Sequence, residues 1–295
     1  MKNYFKIFLV LGGIILILAG LVLTRNALPE KIFQRGGEKI ATQSAFSAAL
    51  EEAREKAEEE KKAEEEKKRQ EEETRKFIAT YGPCRNIPIL VYHHIADEQG
   101  WLYVKKETFS QQMGYLATKG YTPVTLPEVV ENLQTGKPLP QKPIVLTFDD
   151  GYRDFYENTY PILKVFNFKA TAFVITQHVE GANYISWDQL REMVGSGLIM
   201  VGNHTLSHPS LSILTEERLK DEIISAKNII EGNLGISVNI FAYPYGGANG
   251  EAEKILKENG FVAAVTSSRG LSCAKLPYEL SRIRIGNAQL SSYGL

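Results

Sequence analysis

His204 and His208 stand four residues apart in Asn203-His-Thr-Leu-Ser-His208, a spacing that lets two imidazoles reach one metal ion. The familiar zinc helix motif carries Glu directly after its first His to serve as base; here that position is Thr205, so a base must come from elsewhere. Asp149-Asp150-Gly151 offers both missing functions. One carboxylate can complete the ligand set while the other takes a proton from an attacking water. Three protein ligands with an open position are the pattern of a catalytic metal site rather than a structural one. Packing alone explains many histidine pairs, but a neighbouring Asp-Asp-Gly makes that the weaker reading of these two.

Two further polar clusters, Tyr92-His93-His94 and Tyr243-Pro-Tyr245-Gly246, share one property with the first two. All four close a short apolar run of buried-strand type, at 87–92, 144–148, 198–201 and 238–242. Helical signals lie between the strands. Phe109, Met113 and Leu116 mark one helix face, and Thr125 to Glu128 is a capping box with Pro127 in the first turn. Further helices are expected at 161–166, after Ser186, at 215–231 and at 251–258, with strands at 170–176 and 261–265. Such alternation with fully apolar strands predicts an α/β fold, a parallel sheet covered by helices. About seven units suit a barrel better than a two-halved dinucleotide fold, and no G-x-G-x-x-G follows the first strand. In a parallel barrel the carboxyl ends of the strands share one face, so clusters more than 100 residues apart can meet in one cleft.

Thr147-Phe-Asp-Asp-Gly151, His204-Thr-Leu-Ser-His208 and Pro244-Tyr-Gly246 resemble successive motifs of the polysaccharide deacetylases, carbohydrate esterase family 4. The likeness covers roughly residues 87–286, in order and spacing. It implies a distorted (β/α) barrel that removes N-acetyl groups from amino-sugar polymers. It also implies that Asp149 is the general base, that Asp150, His204 and His208 bind a divalent metal with zinc expected, and that the Tyr245 backbone N–H holds the oxyanion. Two departures stand out. Many members have Arg two residues before the Pro of the third motif, where Ala242 stands here, and the late Leu-x-His that supplies the acid is missing because no His follows His208. Phe241-Ala-Tyr-Pro-Tyr-Gly246 together with the early Tyr-His-His is similar to the subgroup that deacetylates poly-β-1,6-N-acetylglucosamine, which implies His93 as the acid. Arg282 or Arg284 could replace the missing Arg. The expected partner is thus an N-acetylglucosamine polysaccharide, with peptidoglycan as the alternative substrate and a non-catalytic carbohydrate-binding protein as the alternative class.

His94 reads as a packing or supporting residue, His178 as a loop histidine and Trp187 as core rather than sugar platform. Cys84 and Cys273 could pair in an oxidising compartment.

The rest of the chain is organised around this region. A net charge of -1 argues against nucleic acid as a partner, and 43% hydrophobic residues exclude wholesale disorder. Residues 7–23 are uncharged and apolar, long enough at about 1.5 Å per residue to reach across most of a bilayer core of roughly 30 Å. They read as an uncleaved signal anchor, with a cleaved signal peptide as the alternative. Two Lys precede the span while Arg25, Lys31, Arg35 and Lys39 follow it, so a strict positive-inside count opposes an outside catalytic domain; the expected surface polymer favours one. Residues 51–76 hold twelve Glu and nine Lys or Arg in 26 positions, with no apolar seam, and predict a solvated helical spacer about 40 Å long. The expected organisation is therefore a membrane anchor at 1–25, a charged helical spacer at 26–84 and a catalytic domain at 85–295, single-pass in the cell membrane with that domain outside.

Overall fold

In a computed structural model the chain is described from Gly36 onward, with side chains from Ser47; the expected anchor at 7–23 lies outside the described residues. Among the described residues no helix is long and apolar enough to cross a membrane. The chain divides into two compact units, at Glu72 and Glu73. Helix α1 (Gly36–Tyr81) carries the charged run, and its side chains from Ser47 to Thr80 are exposed. Glu58–Lys62 at 3.1 Å and Glu64–Lys68 at 3.6 Å are typical of its pairs four residues apart, each contributing a few tenths of a kcal/mol.

The remainder alternates as the apolar runs predict. The order is β1 (Cys84–Arg85), β2 (Ile89–Tyr92), β3 (His94–Ile95), β4 (Tyr103–Val104), α2 (Lys106–Thr118), β5 (Thr122–Pro123), α3 (Leu126–Thr135) and β6 (Pro143–Phe148). Then come α4 (Tyr160–Phe166), β7 (Ala170–Val174), α5 (Trp187–Gly195), β8 (Ile199–Asn203), α6 (Glu216–Lys220), α7 (Ala226–Leu234) and β9 (Ile240–Ala242). Last are α8 (Gly250–Glu258), β10 (Ala263–Val265), β11 (Ser272–Cys273) and β12 (Ile283–Arg284). All four residues of β2 and all five of β7 are buried, because helices or loops cover both faces of the sheet. Both expected capping boxes form, Thr125 with Glu128 and Ser186 with Gln189.

The main sheet runs β10-β9-β8-β7-β6-β2-β12, every pair parallel, with β5 added beside the start of β6. Where a distorted (β/α) barrel was expected, the parallel sheet is a curled half-barrel. No continuous ladder joins β10 to β12. The seam is crossed by one bridge, Val265 to Leu280, and by short backbone bonds such as Arg282 N–H to the Ser268 carbonyl at 2.9 Å. Cys84 and Cys273 sit opposite each other on the small β1–β11 ladder and form a disulfide.

Two helices depart from the expected simple runs. A π turn at Phe155–Thr159 leads into α4, where Pro161 cannot donate to the preceding turn. A second π turn at Asp221–Ser225 separates α6 from α7, and it brings the fully buried Glu222 toward the loop after β8.

Candidate active site

The carboxyl ends of β2, β6, β8 and β9 deliver the four polar clusters. Asp150, His204 and His208 come together with one ligand atom from each lying within 4.8 Å of the others. The Nε2 atoms of the two histidines are 3.2 Å apart, and Asp150 Oδ1 lies 3.4 Å and 3.6 Å from them. His204 Nδ1 sits 2.8 Å from the Ala242 carbonyl, so its N–H donates there and its Nε2 lone pair faces the cluster. Two imidazole lone pairs and a carboxylate aimed at one point are the donor set of a divalent cation, and these residues fit one. Local electrostatics agree. Burial disfavours a charged His204, but Asp150 and Asp149 outweigh it and raise the pKa, whereas burial and then the His204 charge push His208 down to about 4.

The loop between these histidines is tightly held. Glu222, absent from the sequence-derived site, accepts the backbone N–H of Leu206 at 3.0 Å and of Ser207 at 2.8 Å, and the Ser207 hydroxyl at 2.7 Å. Asn203 accepts the Thr205 N–H at 2.7 Å, and Thr205 Oγ1 accepts the His208 N–H at 2.9 Å. This bonding maintains a rare backbone. Asp150, Thr205, His208 and Tyr245 all have positive φ, from 58° to 72°, although none is glycine. Such residues cost about 1–3 kcal/mol each and persist where the surroundings over-determine them.

Asp149 faces a different partner. Arg282, 1% exposed, grips it with two guanidinium bonds of 2.7 Å and anchors itself on the Thr266 carbonyl and Thr147 Oγ1. Burial alone pushes the Asp149 carboxyl up; Arg282 and then His204 reverse this and hold its pKa below the usual carboxylate value. Thus one of the two candidate replacements for the missing Arg reaches Asp149. Arg284 instead lies over the exposed ring of Trp101, its guanidinium carbon 4.4 Å from the centroid.

His93, half-buried at the end of β2, feels the charges of Asp149, Asp150, Arg282 and His204. Burial lowers its pKa, the two aspartates restore part of that, and the net shift is downward. Tyr245 is 74% exposed, with its ring centroid 4.8 Å from that of His208. His94 Nδ1 meets Asp154 at 2.6 Å, and its ring is sandwiched between Tyr103 and Tyr152. His178 packs against Tyr184, and Trp187 packs on the core.

The polysaccharide deacetylase family model matches residues 136–264. YxkH of Bacillus subtilis, named for the polysaccharide deacetylases, is 33% identical over 213 residues, 72% of this chain and 75% of that protein. The poly-β-1,6-N-acetyl-D-glucosamine N-deacetylase of Escherichia coli K12 is 27% identical over 70% of this chain, which spans 37% of that longer relative. Among solved structures, the deacetylase PplD of Streptococcus pyogenes, in complex with acetate, is 29% identical with a TM-score of 0.66, covering 71% of this chain and 98% of that one.

Proposed function

Because the chain belongs to the polysaccharide deacetylase family, we propose that it hydrolyses the N-acetyl groups of poly-β-1,6-N-acetylglucosamine, with a divalent metal, releasing acetate. The observation that carries the substrate is His93. It follows the carboxyl end of β2 and feels the charges of both aspartates, and the residues after His208 include no histidine. The naming of the Escherichia coli relative supports the same polymer.

Asp150, His204 and His208 would hold the cation, zinc by their donor types, which would polarise the acetyl carbonyl and acidify the attacking water. Asp149 takes the proton of that water, and Arg282 keeps its carboxylate ionised and fixed in orientation. The Tyr245 backbone N–H donates to the oxyanion of the tetrahedral intermediate. His93 protonates the departing amine; its lowered pKa makes the imidazolium, once formed, a stronger acid. Residues 7–23 would anchor the chain in the cell membrane, with 26–84 as spacer and the catalytic unit outside. The Cys84–Cys273 disulfide supports that side, since such bonds persist in oxidising compartments.

Acetate release from poly-β-1,6-N-acetylglucosamine and from peptidoglycan, each with and without a chelator, tests this reading. Chelator-sensitive release from the first polymer is expected. Release from peptidoglycan alone would replace the substrate, and release from neither would leave a carbohydrate-binding role.

A further inference from the structure

Glu222 is a carboxylate with no exposed side-chain surface, and none of the reaction steps above uses it. Burying such a group is costly unless its oxygens are hydrogen-bonded, so its partners are informative. Oε2 accepts the N–H groups of Leu206 and Ser207, and Oε1 accepts the Ser207 hydroxyl. A fourth contact, to Arg218 at 3.3 Å, leads to the surface. The π turn that carries Glu222 grips the same loop through its main chain. The Glu222 carbonyl also takes the Leu206 N–H at 3.0 Å, and the Ile223 carbonyl takes the Asn203 side-chain amide at 2.8 Å. One helical turn therefore holds the loop on both sides of His204.

The two imidazoles depend on that loop to different degrees. The His204 side chain is 2% exposed and has its own bond to the Ala242 carbonyl. The His208 side chain is 20% exposed, and its place follows from its backbone, whose N–H donates to Thr205 Oγ1 and whose φ is 63°. Thr205 is also left-handed, at φ 69°. Backbone held in that region relaxes unless its surroundings over-determine it. The Glu222 carboxylate bonds the two residues directly before His208, and hydrogen bonds to a charged acceptor are roughly twice as strong as neutral ones.

Resting on the metal reading of this corner, we propose that Glu222 is a positioning residue for the cation site. Acting through Leu206 and Ser207 rather than through a ligand ring, its carboxylate keeps His208 beside His204 and Asp150 and so sets the affinity for the metal. Glu222→Gln keeps the shape of the side chain but weakens the acceptor and turns an N–H₂ group toward Arg218 or the loop. His208 then loses its fixed place while all three ligands remain in the chain.

The full chain, stripped of metal, is titrated with Zn²⁺ against a coloured competing chelator, and with Co²⁺ followed by its ligand-field absorption. Glu222→Gln is expected to weaken Zn²⁺ binding by about tenfold or more, within the 10–100-fold range of outer partners of metal ligands, and to alter the Co²⁺ spectrum. Arg218→Met removes only the half-exposed ion pair and should stay within about twofold of wild type. Both titrations are run below each protein's unfolding temperature, where a merely structural role would change neither affinity nor spectrum. Wild-type affinity with a wild-type spectrum in Glu222→Gln would overturn the assignment, and so would an equal loss in Arg218→Met. A wild-type chain that binds neither cation would sink the metal reading itself and this inference with it.

Discussion

Asp149 and Asp150 are adjacent in the chain, both are buried, and the fold treats them oppositely. Asp149 points to a guanidinium that the protein itself supplies, fixed by two bonds and by further anchors at Thr147 and Thr266. Asp150 points to two imidazoles, one of which is pushed toward charge and the other away from it. The first corner is electrostatically complete, and the second is a donor set that fits a divalent cation. A guanidinium is permanently charged and cannot be exchanged, so it suits a carboxylate that must stay ionised and oriented. Neutral imidazoles are exchangeable partners, which suits a ligand set.

Removing an imidazole from the incomplete corner should have the largest effect. His204→Ala or His208→Ala is expected to lose bound metal and to lower deacetylation at least about a hundredfold, more than the 10–100-fold typical of losing an outer-shell partner. Metal analysis alongside acetate release checks this, and full metal content at full rate in either variant would break the contrast. Next comes the base itself. Asp149→Asn should keep the metal while the rate falls by about 10² or more, whereas Asp150→Asn should lose metal as well. Equal metal loss in the two proteins would mean that the corners do not differ as described.

His93 feels both corners, and its removal is expected to be selective. His93→Ala should retain metal and slow amide hydrolysis by about 10²-fold, but slow an activated aryl acetate far less, because that leaving group needs no proton. His94→Ala, which breaks the Asp154 pair, should be milder on the amide. Equal slowing of both substrates by His93→Ala would move the acid elsewhere. Last comes the complete corner, where loss of Arg282 should slow the reaction less than loss of the base itself and should also lower stability. Arg282→Met leaves Asp149 buried without its counterion and should cost about 3–5 kcal/mol in denaturant titrations. Adding Asp149→Asn should recover part of that loss, since no unpaired charge then remains. A double variant no more stable than Arg282→Met alone would argue against ionic coupling.

The incomplete corner was legible in the sequence because its residues are local. His204 and His208 share one loop, Asp150 ends an apolar run, and strand polarity alone brings such ends to one face. The complete corner was legible only as two candidates. Arg282 and Asp149 are 133 residues apart, and no periodicity distinguishes Arg282 from Arg284 on a strand two residues long. Strand alternation does not separate them either, since residues two apart share a face; Arg282 precedes the strand and enters the core, whereas Arg284 lies in it and covers Trp101. Glu222 was hidden for another reason. It reads as an ordinary charge within an apolar-faced helix, and only the π turn carries it into the core. The half-barrel was missed because periodicity reports strands but not whether the first and last ones meet. The same local signals did mark the helix caps and nearly every long strand.

The seam between β10 and β12 has a consequence in time. Leu280 and Arg282 close it with a few backbone bonds, and the same segment brings the guanidinium to Asp149. A ribosome adding about 5–20 residues per second needs on the order of ten seconds to travel from one of these partners to the other. Throughout that interval the nascent chain carries a carboxylate with no fixed counterion, in a sheet whose last edge is open. Asp149 and the closing segment therefore make their contact only after residue 282 has been added, and a chain still being synthesised cannot yet hold that carboxylate as the finished protein does.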